Sequence, residues 1–238
     1  MLIHHTIELA KFKSKRLLEQ SPGLFVWIAE QYNKVLGHST DRIVSKDSDI
    51  CIEGFPRCAN SFAYAVFRNY QPESLSIATH IHSAAQIIKA VSLDVPTLVL
   101  IRNPEACVVS LRALRKEAAV RENKHYFHWH IQHEIRWYIN FYKQLMPYKG
   151  KFVLARFDEV VTDFGAVIKR INQQLGTSFA DFEHTPENRD QIFSTSNYHL
   201  SPSDKRKEFK EEFKAQYMAP ENQYLIQKAE AIYQNMIA

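Results

Sequence analysis

The sequence predicts an α/β fold, a three-layer sandwich in which helices flank a central parallel sheet. Short apolar runs rich in β-branched residues alternate with amphipathic stretches at helical spacing, and glycine is scarce, with six among 238 residues, which favours helix. Apolar residues make up 45% and charged residues 24% of the chain, which excludes a disordered or disulfide-stapled protein. Because no linker or composition break divides the sequence, we expect residues 1–238 to form a single domain.

The order of elements follows from local patterns along the chain. Two opening helices, 6–20 and 23–36, are predicted because apolar residues recur at helical spacing on both sides of a Pro-Gly break. Apolar, β-branched runs that end at turn residues predict four strands: 49–55, 74–81, 97–101 and 152–157. The same helical spacing predicts the remaining helices: 60–70, 83–92, one that begins after Pro104, 126–146, 163–175, 203–217 and 221–237. A loop is predicted in the segment that follows Phe182.

Charge, cysteines and apolar run lengths limit the classes of protein. Cys51, Cys58 and Cys107 form no CxxC pair and leave an odd count, which favours a reducing compartment. The longest apolar runs fall short of the roughly 20 residues that cross a bilayer, and the N-terminus has no basic lead into an apolar run, so we expect a cytoplasmic protein without a membrane span. A net charge of +4 fits an anionic ligand but is too small to indicate nucleic acid.

The loop after the first predicted strand has the features of a phosphate site and reads Gly54-Phe55-Pro56-Arg57-Cys58-Ala59-Asn60-Ser61-Phe62. Compared with the GxxxxGK[ST] loop of P-loop nucleotide-binding proteins, the first glycine and the final serine fit, whereas Ala59 replaces the second glycine and Asn60 the lysine. It is therefore not a nucleotide triphosphatase loop. Arg57 and the N–H groups of the following helix can still bind an anion. From this segment alone, an ordinary capped turn is an equal alternative.

The third predicted strand ends in a cation. Triphosphate hydrolases usually end such a strand with an aspartate that supports Mg²⁺, but here Arg102 follows Ile101. Ser110 comes eight residues after Arg102, about two turns into the next predicted helix, so both side chains can bind one phosphate. Taken singly, Arg102 can be a surface cation and Ser110 a small residue that faces the sheet.

These segments, with Thr79-His80 at the end of the second predicted strand, resemble the cytosolic-type sulfotransferases that use 3′-phosphoadenosine 5′-phosphosulfate (PAPS). Residues 55–62 are similar to that family's 5′-phosphosulfate loop, and residues 102–110 to its 3′-phosphate motif, with arginine and serine at the same spacing. Residues 141–147 and the FVLARFD run at 152–158 resemble its helix and fourth strand. The similarity covers about residues 50–179.

The resemblance implies a P-loop-like fold and an enzyme that moves the sulfuryl group of PAPS, without a metal, to an acceptor hydroxyl or amine. It makes His80 the general base and gives Arg57 two roles, holding the 5′-phosphosulfate and stabilising charge on the departing phosphate. It also implies contacts to PAPS from the loop, the 3′-phosphate motif, the fourth strand and a C-terminal basic run: Cys58, Ala59, Asn60, Ser61, Phe62, Arg102, Ser110, Phe157, Lys205 and Arg206.

Departures from the family pattern keep alternatives open. Where this chain has Arg57, Ala59 and Ala78, the family more often has lysine, glycine and lysine. Because of Ala78, a non-catalytic binder of 3′-phosphorylated nucleotides is an alternative. An ATP-dependent phosphotransferase is another, against which the missing loop lysine and the strand-end arginine argue. The 205–207 run is equally well interpreted as a solvated helix face. His82, two residues after the predicted base and on the same strand face, is a rival base or a contact to the acceptor.

A second histidine-rich segment carries less weight. His133-Glu134 begins like the zinc helix HExxH, but Trp137 occupies the second ligand position, so we predict no metal there. His128, His130 and His133 are interpreted as structural. An acceptor pocket is expected to come from the N-terminal helices, residues 115–130 and the C-terminal segment. The aromatic residues at 126–129 can line it or belong to the core. The acceptor, whether small molecule, glycan or lipid, and the oligomeric state are not indicated, and no nucleic-acid partner is expected.

Overall fold

The computed structural model describes residues 2–126, 129–195 and 203–238. These residues contain a four-stranded, wholly parallel sheet in the order β2-β1-β3-β4. Its strands are β1 Ile50–Gly54, β2 Ile77–Thr79, β3 Thr97–Ile101 and β4 Val153–Arg156. Each lies within its predicted range, so the prediction of a parallel α/β sheet is confirmed. The second strand is much shorter than predicted because the backbone turns immediately after Thr79.

Helices make up most of the rest of the described chain: α1 Leu2–Leu18, α2 Pro22–Val35, α3 Asn60–Tyr70, α4 Ala84–Ser92, α5 Pro104–Arg121, α6 Gln132–Leu145, α7 Phe157–Thr162, α8 Phe164–Leu175, α9 Pro186–Thr195, α10 Asp204–Tyr217 and α11 Gln223–Ile237. Within the described residues, no helix is long and apolar enough to cross a membrane.

Three helices differ from the prediction. The helix predicted from 126 begins only at Gln132, and part of that range, residues 127 and 128, lies outside the described residues. A short helix, α7, follows β4 directly because the Glu159 carboxylate accepts the backbone N–H of Arg156 at 2.7 Å. The predicted loop after Phe182 contains α9, which begins with a proline, and the hydroxyl of Thr185 before it accepts the N–H of Asn188 at 3.2 Å.

Both faces of the sheet are covered by apolar side chains. Successive strand residues point to opposite faces, and in β1 Ile50 and Ile52 pack into one buried cluster while Cys51 packs into another. The second cluster includes Phe25 and Val26 of α2. The strands are therefore sandwiched between two helical layers, as the sequence predicts.

The parallel sheet brings the ends of three strands to one edge. In the register of β1 and β3, Gly54 lies opposite Leu100, and a Cβ atom at Gly54 would lie 2.5 Å from the Leu100 carbonyl oxygen. Glycine is therefore required where β1 ends, because the two backbones approach closely. The loops after β1, β2 and β3 leave the sheet at this edge, which is where open parallel sheets bind ligands.

Candidate functional site

A cavity of about 620 Å³ opens at the carboxyl edge of the sheet. Apart from Cys58 and Lys205, the residues that the sequence predicts to bind the donor or to act in catalysis all line it: Arg57, Ala59, Asn60, Ser61, Phe62, His80, Arg102, Ser110, Phe157 and Arg206. The fold thus brings together segments that are up to about 150 residues apart in the chain.

The loop between β1 and α3 adopts an unusual backbone. Arg57 has a φ of 74° and Ala59 a φ of 71°, both in the left-handed region that favours glycine. For a residue with a Cβ atom this conformation costs about 1 kcal/mol. Asn60 begins α3 and its side-chain amide donates to the Phe55 carbonyl at 3.0 Å, which closes the loop. The first N–H groups of α3 follow this turn, as an anion-binding loop requires.

Arg57 of the loop and Arg102, which directly follows β3, are held side by side. Arg57 Nε donates to Ser110 Oγ at 3.1 Å, and Arg102 Nη1 donates to the Arg57 carbonyl at 3.2 Å. The Arg102 guanidinium carbon also lies 3.7 Å from the centre of the Phe157 ring. Burial, followed by repulsion from the Arg206 and Arg102 charges, lowers the pKa of Arg57 to about 10. Such a concentration of positive charge favours a bound anion.

Helix α10 adds two more cations to this end of the cavity. Arg206 is buried and Nε donates to the Glu117 carboxylate of α5 at 2.6 Å. Lys210, one turn further along the helix, also lines the cavity, and its pKa is lowered by burial and by the nearby arginines. Lys205 does not line the cavity and is exposed, whereas the adjacent Arg206 is buried. The basic run is thus partly a solvated helix face, and Lys210 is a lining residue that the sequence prediction misses.

Cys58 faces the core instead of the cavity. Its Sγ lies 3.3 Å from Cys107 Sγ and 3.4 Å from the Tyr142 hydroxyl, and its side chain is fully buried. The side chain of Cys58, which the sequence predicts to bind the donor, therefore does not line the cavity, because the left-handed residues on either side of it turn the cysteine inward. Phe62 does line the cavity, and its ring packs against Phe193 with centroids 5.8 Å apart.

His80 and His82 lie in a turn after β2, with φ values of 60° and 52°. The prediction that they share one strand face is wrong, because β2 ends at Thr79. Their ring centroids are 5.7 Å apart and the rings are nearly perpendicular. His80 Nε2 lies 3.2 Å from Ser61 Oγ and Nδ1 lies 3.0 Å from Thr79 Oγ1. Burial, assisted by the positive charge of Arg42, lowers the pKa of His80 to about 4, so it is neutral at pH 7.

The buried carboxylate of Glu53 fixes the backbone of the turn that carries the two histidines. Glu53 of β1 is fully buried and accepts the backbone N–H groups of Ile81 at 2.6 Å and of His82 at 3.1 Å. Burial raises the pKa of Glu53 to about 7, against the lowering effect of these N–H donors. His82 Nδ1 donates to the Gly54 carbonyl at 2.9 Å, which leaves Nε2 of His82 with its lone pair. The sequence signal for this network is a carboxylate inside an otherwise apolar strand.

The other end of the cavity is formed by α1, α5 and α6. Lys15, Arg115 and Trp137 line it together with apolar side chains of Leu111 and Leu114. The sequence indicates the N-terminal helices and the region from Arg115 as sources of an acceptor pocket, without these individual residues. Trp129 and His130 do not line the cavity, and Phe127 and His128 lie outside the described residues.

The segment that begins like a zinc helix forms an ion-pair cluster. Glu134 is buried and contacts Arg112 at 3.0 Å and Arg115 at 3.5 Å. His133 packs its ring near Phe12, with centroids 6.5 Å apart. In the described part of the chain, no group of three or more histidine, cysteine, aspartate or glutamate side chains is arranged to hold a metal ion.

Comparison with known proteins gives one family match. The family model described as "Sulfotransferase domain" matches residues 1–231, a longer range than the sequence motifs alone indicate. A search of curated proteins found no match. Among solved structures, the crystal structure of mouse sulfotransferase SULT7A1 complexed with PAP is similar, with 15% identity and a TM-score of 0.45 over 84% of this chain and 89% of that chain.

Proposed function

The chain belongs to the sulfotransferase domain family, and from this premise we propose that it transfers the sulfuryl group of PAPS to a hydroxyl or amine of an acceptor, with His80 as general base. The observation that carries the choice of donor is the charge of the cavity. Four cations lie at one end, Arg57, Arg102, Arg206 and Lys210, and the described lining residues include no carboxylate. A donor with phosphates at two positions of its ribose matches this arrangement.

The residues of the cavity fit the two ends of PAPS. Arg57 and the N–H groups at the start of α3 bind the 5′-phosphosulfate, because they lie at the end of β1 beside Ser61. Arg102 and Ser110 bind the 3′-phosphate. Their contacts with the loop, from Arg102 to the Arg57 carbonyl and from Arg57 to Ser110, hold the two phosphate sites in a fixed relation. The adenine occupies the part of the cavity that Phe62 and Phe157 line.

The reaction is a displacement at sulfur in which an acceptor oxygen or nitrogen forms a bond to sulfur as the sulfur–oxygen bond to the 5′-phosphate breaks. His80 Nε2 takes the acceptor proton, and 3′-phosphoadenosine 5′-phosphate (PAP) leaves. Since Nδ1 can donate its hydrogen to Thr79 Oγ1, the neutral ring presents the Nε2 lone pair. Such a base is typically worth about 10² to 10⁴ in rate. Arg57 stabilises the charge that develops on the departing phosphate oxygen.

We also propose that residues 1–238 act as one domain. The cavity is lined by Lys15 of α1 and by Lys210 of α10, so segments from both ends of the chain build the same site. The two halves of the chain therefore depend on each other for a complete cavity.

Calorimetry and turnover assays test this function. PAP should bind to the protein without Mg²⁺ and more tightly than ATP with Mg²⁺, and transfer from PAPS to a broad panel of phenols, sugars and amines should survive EDTA. Tighter binding of ATP with Mg²⁺ and loss of transfer on chelation would favour a phosphotransferase. Tight binding of PAP with no transfer to any acceptor would favour a non-catalytic nucleotide binder, for which Ala78 in place of the family's lysine is the motivating feature.

A further inference from the structure

The cations that line the cavity form two separate groups. The first group contains Arg57, Arg102, Arg206 and Lys210. The charges of Arg206 and Arg102 lower the pKa of Arg57, and the charges of all three arginines lower the pKa of Lys210. The second group is Lys15 of α1, which donates to the Ile81 carbonyl, and Arg115 of α5, which contacts Glu134; both line the same cavity. The first group accounts for the phosphates of the proposed donor. The second group is in excess of what the donor requires.

Lys15 stands next to the proposed base. Its Nζ donates to the carbonyl oxygen of Ile81, the residue between the two histidines, at 3.0 Å. Of the carboxylates that act on its charge, Glu19 forms an ion pair with Arg16 at 2.9 Å, and burial raises the pKa of Glu53 to about 7, so that this group is partly protonated at neutral pH. The charge of Lys15 is therefore incompletely balanced by the protein.

Arg115 is also incompletely balanced. Its carboxylate partner, Glu134, lies 3.5 Å away and is shared with Arg112, whose guanidinium is closer, at 3.0 Å, and almost fully buried. One carboxylate thus compensates two arginines, and the Arg115 side chain remains 38% exposed at the cavity. A buried or half-buried excess of positive charge favours a bound anion.

An unused hydrogen-bond donor lies in the same wall. Trp137 is 7% exposed and lines the cavity, and its indole Nε1 has no hydrogen-bond partner in the described residues. An indole nitrogen can only donate. With Leu111 and Leu114 beside Trp137, this end of the cavity offers positive charge and apolar surface.

Building on the proposed function, we propose that the acceptor carries an anionic group, a carboxylate, sulfate or phosphate ester, in addition to the hydroxyl or amine that receives the sulfuryl group. Lys15 and Arg115 bind this anion, and the apolar side chains contact the body of the molecule. The pair of cations then determines acceptor specificity, because a neutral analogue leaves both charges without a partner.

Matched acceptor pairs test the proposal on the protein saturated with PAP. Calorimetry would compare 4-hydroxyphenylacetate with its amide, glucuronate with methyl glucoside, and lysophosphatidate with monoacylglycerol. In at least one pair the anionic member should bind about tenfold more tightly. Lys15→Gln and Arg115→Gln should each remove most of that preference, measured as the ratio between the dissociation constants of the neutral and the anionic member. Arg115→Lys should restore part of it, and Lys13→Gln, at an exposed position of α1 that does not line the cavity, should have no effect.

The outcomes separate this inference from the proposed function. If PAP does not bind, the proposed function itself fails. If PAP binds but no anionic member is preferred in any pair, the anionic acceptor is refuted. If Lys15→Gln leaves the ratio between the affinities for the anionic and the neutral member unchanged, the specificity role of the lysine is wrong. Because Arg115→Gln disturbs the Glu134 ion pair and can affect folding, the Lys15 variant decides in that case.

Discussion

Replacement of Arg102 by alanine tests the proposed 3′-phosphate site. Arg102 Nη1 donates to the Arg57 carbonyl at 3.2 Å, and its guanidinium stacks on the Phe157 ring, so the side chain is oriented before any ligand arrives. Arg102→Ala should weaken PAP binding by about 1.5 to 3 kcal/mol, the range for hydrogen bonds to charged groups. This corresponds to a loss of roughly ten- to 150-fold in affinity. Adenosine 5′-monophosphate, which lacks the 3′-phosphate, should lose little.

Calorimetry with both nucleotides separates the two functions of Arg102. The difference between the losses for PAP and for adenosine 5′-monophosphate isolates the 3′-phosphate contact, since any loosening of the Arg57 loop affects both ligands. Arg68→Ala is a matched control: Arg68 is exposed on α3, also donates to backbone carbonyls and does not line the cavity. Equal losses for the two nucleotides would show that Arg102 only positions the loop, and the 3′-phosphate assignment would be wrong.

Three further predictions concern the base and the loop. His80→Ala should lower turnover at least about a hundredfold with PAP affinity nearly unchanged. His82→Ala should mainly raise the KM for the acceptor. If His82→Ala abolishes turnover while His80→Ala remains active, His82 is the base. Because the pKa of His80 is lowered to about 4, its neutral, basic form persists as the pH falls. In a pH profile of kcat/KM, activity should therefore decline on the acid side near pH 4. A decline near pH 6.5 would indicate a solvated histidine and contradict the burial of the base. Ala59→Gly should relieve left-handed strain and leave the protein as stable or up to about 1 kcal/mol more stable in thermal unfolding, and a clear destabilisation would contradict the strain.

Local sequence patterns predict the sheet well because each strand is a short apolar run with its own turn signal. Together with the family resemblance, they also place about half of the lining residues, since the ends of parallel strands meet at one edge whatever covers the faces. They do not predict that Lys210 lines the cavity, because that depends on the packing of α10 against α5 through Arg206 and Glu117, which lie 89 residues apart. Nor do they predict that Cys58 points inward, which depends on positive φ values at its neighbours.

The turn that carries the two histidines shows how distant residues stabilise an unfavourable local conformation. Left-handed backbone at both His80 and His82 costs on the order of 1 kcal/mol at each. The turn persists because its polar backbone groups have fixed partners: Glu53 accepts two N–H groups, and Lys15 donates to the Ile81 carbonyl between the rings.

Glu53 is a buried residue of β1 next to this turn. Its carboxylate interrupts an apolar strand because the turn needs an acceptor there. Replacing its carboxylate would free two buried N–H groups, and the histidines would lose the support that sets their orientation. Lys15, which donates to the Ile81 carbonyl in this turn, also lines the proposed acceptor end of the cavity. The anionic group of the proposed acceptor would therefore lie close to Ile81, the residue that links His80 to His82, because Lys15 Nζ donates to the Ile81 carbonyl.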